Sequence, residues 1–177
     1  LTLMSIARHH AEWLSLVEAS GPFLSLQVLL EAFPQGLDAH DAEIFRYLKQ
    51  AYQEWLEGNR DSEIHRAWCE WVLQQVLEYP DPVLLQGQSI PNGLRVRIAE
   101  YGETLRPDFV LIAPDNTLSL NPSPTKEESR VKMLISLVPP DQGLEKPLKN
   151  SHWKASPATR MMELLHGCNV RLGLLTN

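Results

Sequence analysis

Residues 106–138 read RPDFVLIAPDNTLSLNPSPTKEESRVKMLISLV. Two apolar runs, Phe109–Ala113 and Lys132–Val138, flank a polar connection rich in Pro, Ser and Asn, the pattern of two antiparallel strands joined by a long hairpin loop. Asp108 follows Pro107 immediately before the first run. On its own, an aspartate there reads as a turn residue accepting backbone N–H bonds. The second run ends Ile135-Ser136-Leu137-Val138, and no acid or lysine stands between Met133 and Pro140.

The rest of the chain fits around that hairpin. Its 177 residues suffice for one good core with a smaller appendage. With 44% apolar and 21% charged residues, the composition is that of an ordinary globular protein. No apolar run approaches the roughly 18 residues of a membrane span, and no charged-then-apolar start suggests a signal peptide. Cys69 and Cys168 form no spaced set, so reduced thiols in a cytoplasmic protein are expected. A first residue Leu1 and a last pair Thr176-Asn177 read as a piece of a longer polypeptide. The net charge of −6 does not announce a nucleic-acid binder, but it is uneven. Residues 1–120 carry 8 Lys and Arg against 17 Asp and Glu, whereas residues 121–160 carry 7 against 4. A surface facing DNA would therefore lie in the later part.

In chain order, Met4–Ala19 and Phe23–Phe33 read as helices, the second stopped by Pro34 and Gly36. Asp38 is placed to cap a third helix that runs to about Leu56 and ends at Gly58, with Asp41 and Glu43 in its first turn. Asp61 or Ser62 caps a fourth, expected to reach Glu78, with Ile64, Trp68, Trp71, Val72 and Val76 as its apolar stripe. A loop through Gly87, Pro91 and Gly93 leads to Leu94–Ala99, whose alternation predicts a strand with one wet face. After the central hairpin come a helix from Pro157 to Gly167 and an apolar final strand, Val170–Leu175, expected to be buried on both faces. The expected class is α/β (α+β): a helical extension over residues 1–60, then an α-β-β-β-α-β core over residues 61–177.

That order, with Asp108 opening the second core strand, resembles the PD-(D/E)XK restriction-endonuclease-like fold. Further on, Lys154–Arg160 leads into a helix, followed by Gly167-Cys168-Asn169-Val170-Arg171-Leu172-Gly173-Leu174-Leu175-Thr176-Asn177. These stretches are similar to the close of the N-terminal nuclease-like domain in type IIG restriction–modification polypeptides and type I restriction subunits. The resemblance implies a bacterial DNA restriction–modification or adenine-specific methyltransferase protein, with phage defence as its setting. The parent would use S-adenosylmethionine, although no glycine-rich FxGxG and no NPPY lies within these residues, so the fragment itself needs no cofactor.

The resemblance also assigns positions. Asp108 stands at the first metal ligand, Ser136 and Val138 stand where Glu and Lys are expected, and Glu70 matches a helix acid used by some members. Phosphodiester cleavage in such a site needs carboxylates for Mg²⁺ and a lysine to orient water. Serine is a poor magnesium ligand and valine orients nothing, so the implied domain is degenerate as a nuclease and serves DNA binding or scaffolding. Lys132, Asp141 and Lys154 are the nearest substitutes if Mg²⁺-dependent cleavage survives. For DNA contact the candidates are Lys146, Lys149, Lys154 and Arg160, beside Trp153 and the start of the helix at Pro157. The remaining alternative is a module whose acidic helical cap docks on a partner protein. The six histidines show no metal-binding spacing with the cysteines.

Overall fold

The computed structural model describes residues 3–18, 25–36, 41–58, 61–114, 130–149 and 151–177. It is a mixed α/β protein whose chain divides into two compact units, Leu1–Phe45 and Arg46–Asn177. The expected cap at Asp38, the residues around Gly21-Pro22 and the hairpin connection 115–129 lie outside the described residues.

The first unit holds α1 (Leu3–Leu14) and α2 (Leu26–Ala32). The first helix stops at Leu14, short of the expected Ala19. Ser15 turns its hydroxyl back onto the Glu12 carbonyl, a local bond that competes with continued helix. In α2 the Ser25 hydroxyl accepts the Val28 N–H and caps the helix. Buried His10 reaches the Phe33 carbonyl through Nε2 at 3.2 Å, joining α1 to the end of α2. At the start of α3 (Ala42–Glu57), Asp41 accepts the Glu43 and Ile44 N–H groups.

Most of α3 belongs to the second unit, which is why the division falls between residues 45 and 46 and not at 60. Tyr52 and Trp55 of α3 sit 6.2 and 5.7 Å, ring to ring, from Trp68 and His65 of α4 (Ser62–Trp71). That aromatic cluster binds the back of α3 to the core. Asp61 caps α4 through the Glu63 and Ile64 N–H groups. The helix does not run unbroken to Glu78 as expected. It widens at Val72–Val76 into one π-helical turn, with the Leu77 N–H bonded to the Val72 carbonyl, and Glu78 ends it in the left-handed conformation at φ 54°.

Four strands make the main sheet: β1 (Leu84–Gln86), β4 (Phe109–Ile112), β5 (Val131–Leu137) and β6 (Gly173–Thr176), in the order β1-β4-β5-β6. β1 and β5 run antiparallel to β4, with Phe109 opposite Ile135, and β6 runs parallel to β5. The parallel step is made through α5 (Pro157–Cys168), as parallel pairing requires a crossover. Ser156 caps α5, Pro157 opens it, and Asn169 closes it in the left-handed conformation.

Two expectations about the strands are corrected. The run Leu94–Ala99 does not enter the main sheet. Its centre, β2 (Val96–Ile98), pairs with β3 (Glu103–Leu105) in a separate two-stranded ribbon. The first core strand is instead β1, which the sequence hides because a strand of three residues is too short to display alternation. The final strand is not buried on both faces. It starts at Gly173, pairs only with β5 among the described strands, and its leucines are half-buried.

The sheet separates two apolar layers. Phe109 and Ile135 face Leu73 and Leu84, while Val110 and Leu134 face Met161 and Leu164 of α5 together with Leu94 and Leu105. All four strand residues are fully buried, each stabilising by roughly 1.5–3 kcal/mol. Adjacent positions on β4 and β5 thus point to opposite layers, which sandwiches the sheet between the α4 side and the α5 side.

Candidate functional site

Asp108 lies at the entry to β4, where its N–H donates to the Ile135 carbonyl at 2.9 Å. Its side chain turns across to the next strand, and Oδ2 accepts the Leu137 N–H at 2.9 Å. Oδ1 accepts from the Arg66 guanidinium at 3.0 Å. Arg66 comes from α4 and lies over the Phe109 ring, 5.2 Å from its centroid. The carboxylate therefore joins one helix and two strands.

Beside it is a cleft of roughly 200 Å³. Arg106, Asp108, Ser136, Val138 and Arg160 line it, with Met161 and Leu164 of α5 supplying an apolar wall. The fold thus brings Asp108, Ser136 and Val138 together, as their places on successive strands predict. It does not bring in Glu70. That carboxylate accepts from the Gln86 amide at 2.6 Å and ties α4 to β1, outside the cleft lining. Lys132 is exposed toward the far end of β5, beside the residues paired with Leu111 and Ile112. Asp141 and Lys149 line a neighbouring hollow with Ser151.

The donors around Asp108 do not fit a divalent cation. A magnesium site of the implied kind draws on more than one carboxylate, and Ser136 and Val138 supply none. Both Asp108 oxygens already serve N–H donors, one of them cationic. Among the described residues no three His, Cys, Asp or Glu side chains gather as a ligand set.

Arg160 is placed differently from the expected DNA contact. It sits in a cluster that tethers the β2–β3 ribbon to α5. One guanidinium nitrogen meets Glu103 Oε2 at 2.6 Å, the other donates to the Trp153 carbonyl at 2.9 Å, and its carbon lies 4.7 Å from the Trp153 ring centroid. Trp153 also stacks on Tyr101, with centroids 5.5 Å apart and planes at 17°. Hydrogen bonds from Arg160 and Ser151 hold the Glu103 carboxyl down at about 2. Only 16% of the Arg160 side chain is exposed, so its charge is committed internally. Lys146, Lys149 and Lys154 are exposed, and the Lys154 ammonium donates to the Lys149 carbonyl at 2.9 Å.

Two ion pairs leave no trace in the sequence. Arg66 is separated from Asp108 by 42 positions, and Glu103 from Arg160 by 57, so no local spacing signals either pair. Cys69 lies on the buried face of α4 with His65, four residues before it. Burial pushes its thiol up to about 11, partly opposed by Arg66, and Sγ stands 3.7 Å from His65 Nε2. Neither cysteine is in a disulfide. No helix among the described residues is long and apolar enough to cross a membrane. Comparison with protein-family models, with curated proteins and with solved structures finds no match to this chain.

Proposed function

We propose that the chain is the nuclease-like part of a bacterial DNA restriction–modification or methyltransferase protein, degenerate as a nuclease and serving DNA binding or scaffolding. The observation that carries this reading is one of order and position. A helix precedes three successively antiparallel strands, a crossover helix leads to a fourth parallel strand, and Asp108 opens the second strand beside Ser136 on the third. That arrangement supports a PD-(D/E)XK-like core with the β2–β3 ribbon inserted between its first two strands. The parent chain would supply S-adenosylmethionine chemistry, and its remainder would be the immediate partner of this part.

Contact with DNA, in this reading, is electrostatic and rests on Lys146, Lys149 and Lys154. A labelled duplex titrated by fluorescence anisotropy tests it. Replacing all three lysines by Glu abolishes binding, and each single change lowers the salt slope by roughly one for every phosphate it no longer neutralises. Binding that survives the triple change refutes the assignment. In a plasmid assay with Mg²⁺ or Mn²⁺ the chain leaves DNA intact. Nicking that disappears in Asp108→Ala would establish an active Mg²⁺-dependent endonuclease in its place.

A second reading, a protein-interaction module, is favoured by the first unit, where Leu16, Val17, Leu26, Val28 and Phe33 are exposed. A chain that binds no duplex at low salt but captures the rest of its parent polypeptide would support it.

A further inference from the structure

Resting on the nuclease-like reading above, the mismatch between Asp108 and a metal has a specific cause. In that reading a carboxylate at this place helps to hold a divalent cation. Here a cation is built in. The Arg66 guanidinium meets Oδ1 at 3.0 Å, and its plane is held from below by the Phe109 ring at 5.2 Å. Phe109 itself is fully buried. Oδ2 is fixed separately by the Leu137 N–H, which sets the carboxylate's orientation before any ligand arrives.

We infer that the Arg66 guanidinium takes the place of the divalent cation at Asp108, as a charge carried by the chain itself in a pair that solvent still reaches, with 45% of the arginine and 31% of the aspartate side chain exposed. The substitution changes what the site does. A bound metal offers open coordination positions to a phosphate and lowers the pKa of bound water. A guanidinium does neither, because it has no vacant orbital for an oxygen ligand and remains protonated throughout the accessible pH range. It does keep a positive charge at the strand ends, and it clamps α4 to β4 and β5 through one carboxylate. A second positive ion at Asp108 would also stand within a few ångströms of that guanidinium and be repelled by it. Ser136 and Val138, which offer neither a carboxylate nor an ammonium, and Arg66 beside Asp108 then agree with one another: the positive charge here is a side chain and not an exchangeable ion.

Mn²⁺ binding to the full 177-residue chain, read by the paramagnetic resonance of the free ion, tests this without reference to DNA or cleavage. The variants are Asp108→Asn, Arg66→Gln and the two together. Wild type and Asp108→Asn should bind Mn²⁺ equally, because Asp108 is not open to it. Arg66→Gln should bind it roughly fivefold tighter or more, the effect of removing one unit of charge repulsion near the carboxylate. The double variant should lose that gain. Mn²⁺ should likewise raise the melting temperature of Arg66→Gln and leave that of the wild type unchanged. Wild-type binding that Asp108→Asn abolishes would overturn the inference, and that comparison stands even if Arg66→Gln does not fold. An Arg66→Gln protein that folds but gains no Asp108-dependent Mn²⁺ binding would overturn it equally. Neither outcome depends on whether the lysines contact DNA, so failure of the clamp and failure of the DNA reading are separable.

Discussion

Gly167 sets two familiar effects against each other, and the structure decides which wins. It lies in the last turn of α5, where alanine is intrinsically the better helix former by up to about 1 kcal/mol. Propensity alone therefore predicts that Gly167→Ala stabilises. A methyl group there, however, would stand 2.4 and 2.9 Å from the two γ-carbons of Val96 on β2. Val96 is a β-branched residue held in a ribbon strand, so it has little rotamer freedom with which to withdraw. Forcing an extra carbon into such a space costs typically about 1–3 kcal/mol. The net expectation is a loss of about 1 kcal/mol, or roughly 3–6 °C in melting temperature for a unit of this size. On a Val96→Ala background the clashing carbons are gone and the helix preference is left alone. There the same substitution should become neutral or stabilising. Thermal unfolding of the four proteins by circular dichroism supplies the cycle. Gly167→Ala that raises the melting temperature of the wild type, or lowers both backgrounds equally, would refute the packing of α5 on the β2–β3 ribbon. Gly173 is the control. An alanine there meets the sulfur and Cγ of Met161, at 2.8 and 2.9 Å, and a flexible thioether can move aside.

Further outcomes follow from the two perturbed groups. Glu103 titrates at about 2 in the folded chain against an ordinary 4.5, so its contribution is intact above 4.5 and is lost as the pH falls toward 2. The gap in melting temperature between wild type and Glu103→Gln should therefore be widest above about pH 5 and close below it; a gap that widens in acid would contradict the Arg160 pairing. Cys69, buried and held as a neutral thiol, should react with iodoacetamide at about pH 8 far more slowly than Cys168. Peptide mapping after timed alkylation gives the ratio, and equal rates would mean that the aromatic cluster around α4 opens readily.

Much of the second unit is legible in the sequence because its signals are local. Phe109–Ala113 and Lys132–Val138 announce strands by continuous apolar composition, and both stand within a residue or so of β4 and β5. Pro157 marks the start of α5 by its chemistry, and the end expected at Gly167 falls one residue short of Cys168, with Asn169 closing the helix beyond it. What is not legible depends on distant partners. β1 is a strand only because Val110 offers a pairing edge to Leu85, and the apparently better strand at Leu94–Ala99 finds its partner in β3. The edge position of β6 among the described strands likewise follows from sheet order, not from composition, since Leu174 and Leu175 look equally suited to a buried strand. Asp108, Ser136 and Val138 do line one cleft, yet the turn-aspartate and metal-ligand readings prove a false choice. Asp108 accepts a backbone N–H and also carries a cation, but the cation is a side chain.

The charge pattern gains a different meaning from this geometry. Counting residues along the chain, 121–160 has a basic surplus that points toward a polyanion. Pairing within the fold removes part of it. Arg160, from the end of that stretch, neutralises Glu103, while Arg66, from the acidic half, neutralises Asp108. Both pairs involve residues at the rim of the same cleft or directly against them, so the cleft is close to charge-balanced apart from Arg106, whose guanidinium donates to the Gly87 carbonyl. A phosphate entering there would find one cation bound to a neutral oxygen and two already matched by carboxylates. The lysines at 146, 149 and 154 are exposed, and the bond that Lys154 makes is to a neutral carbonyl, with no carboxylate paired to it among the described residues. Affinity for a polyanion should therefore reside outside the cleft, on the segment leading into α5, and the cleft should contribute rigidity to that surface through its two ion pairs.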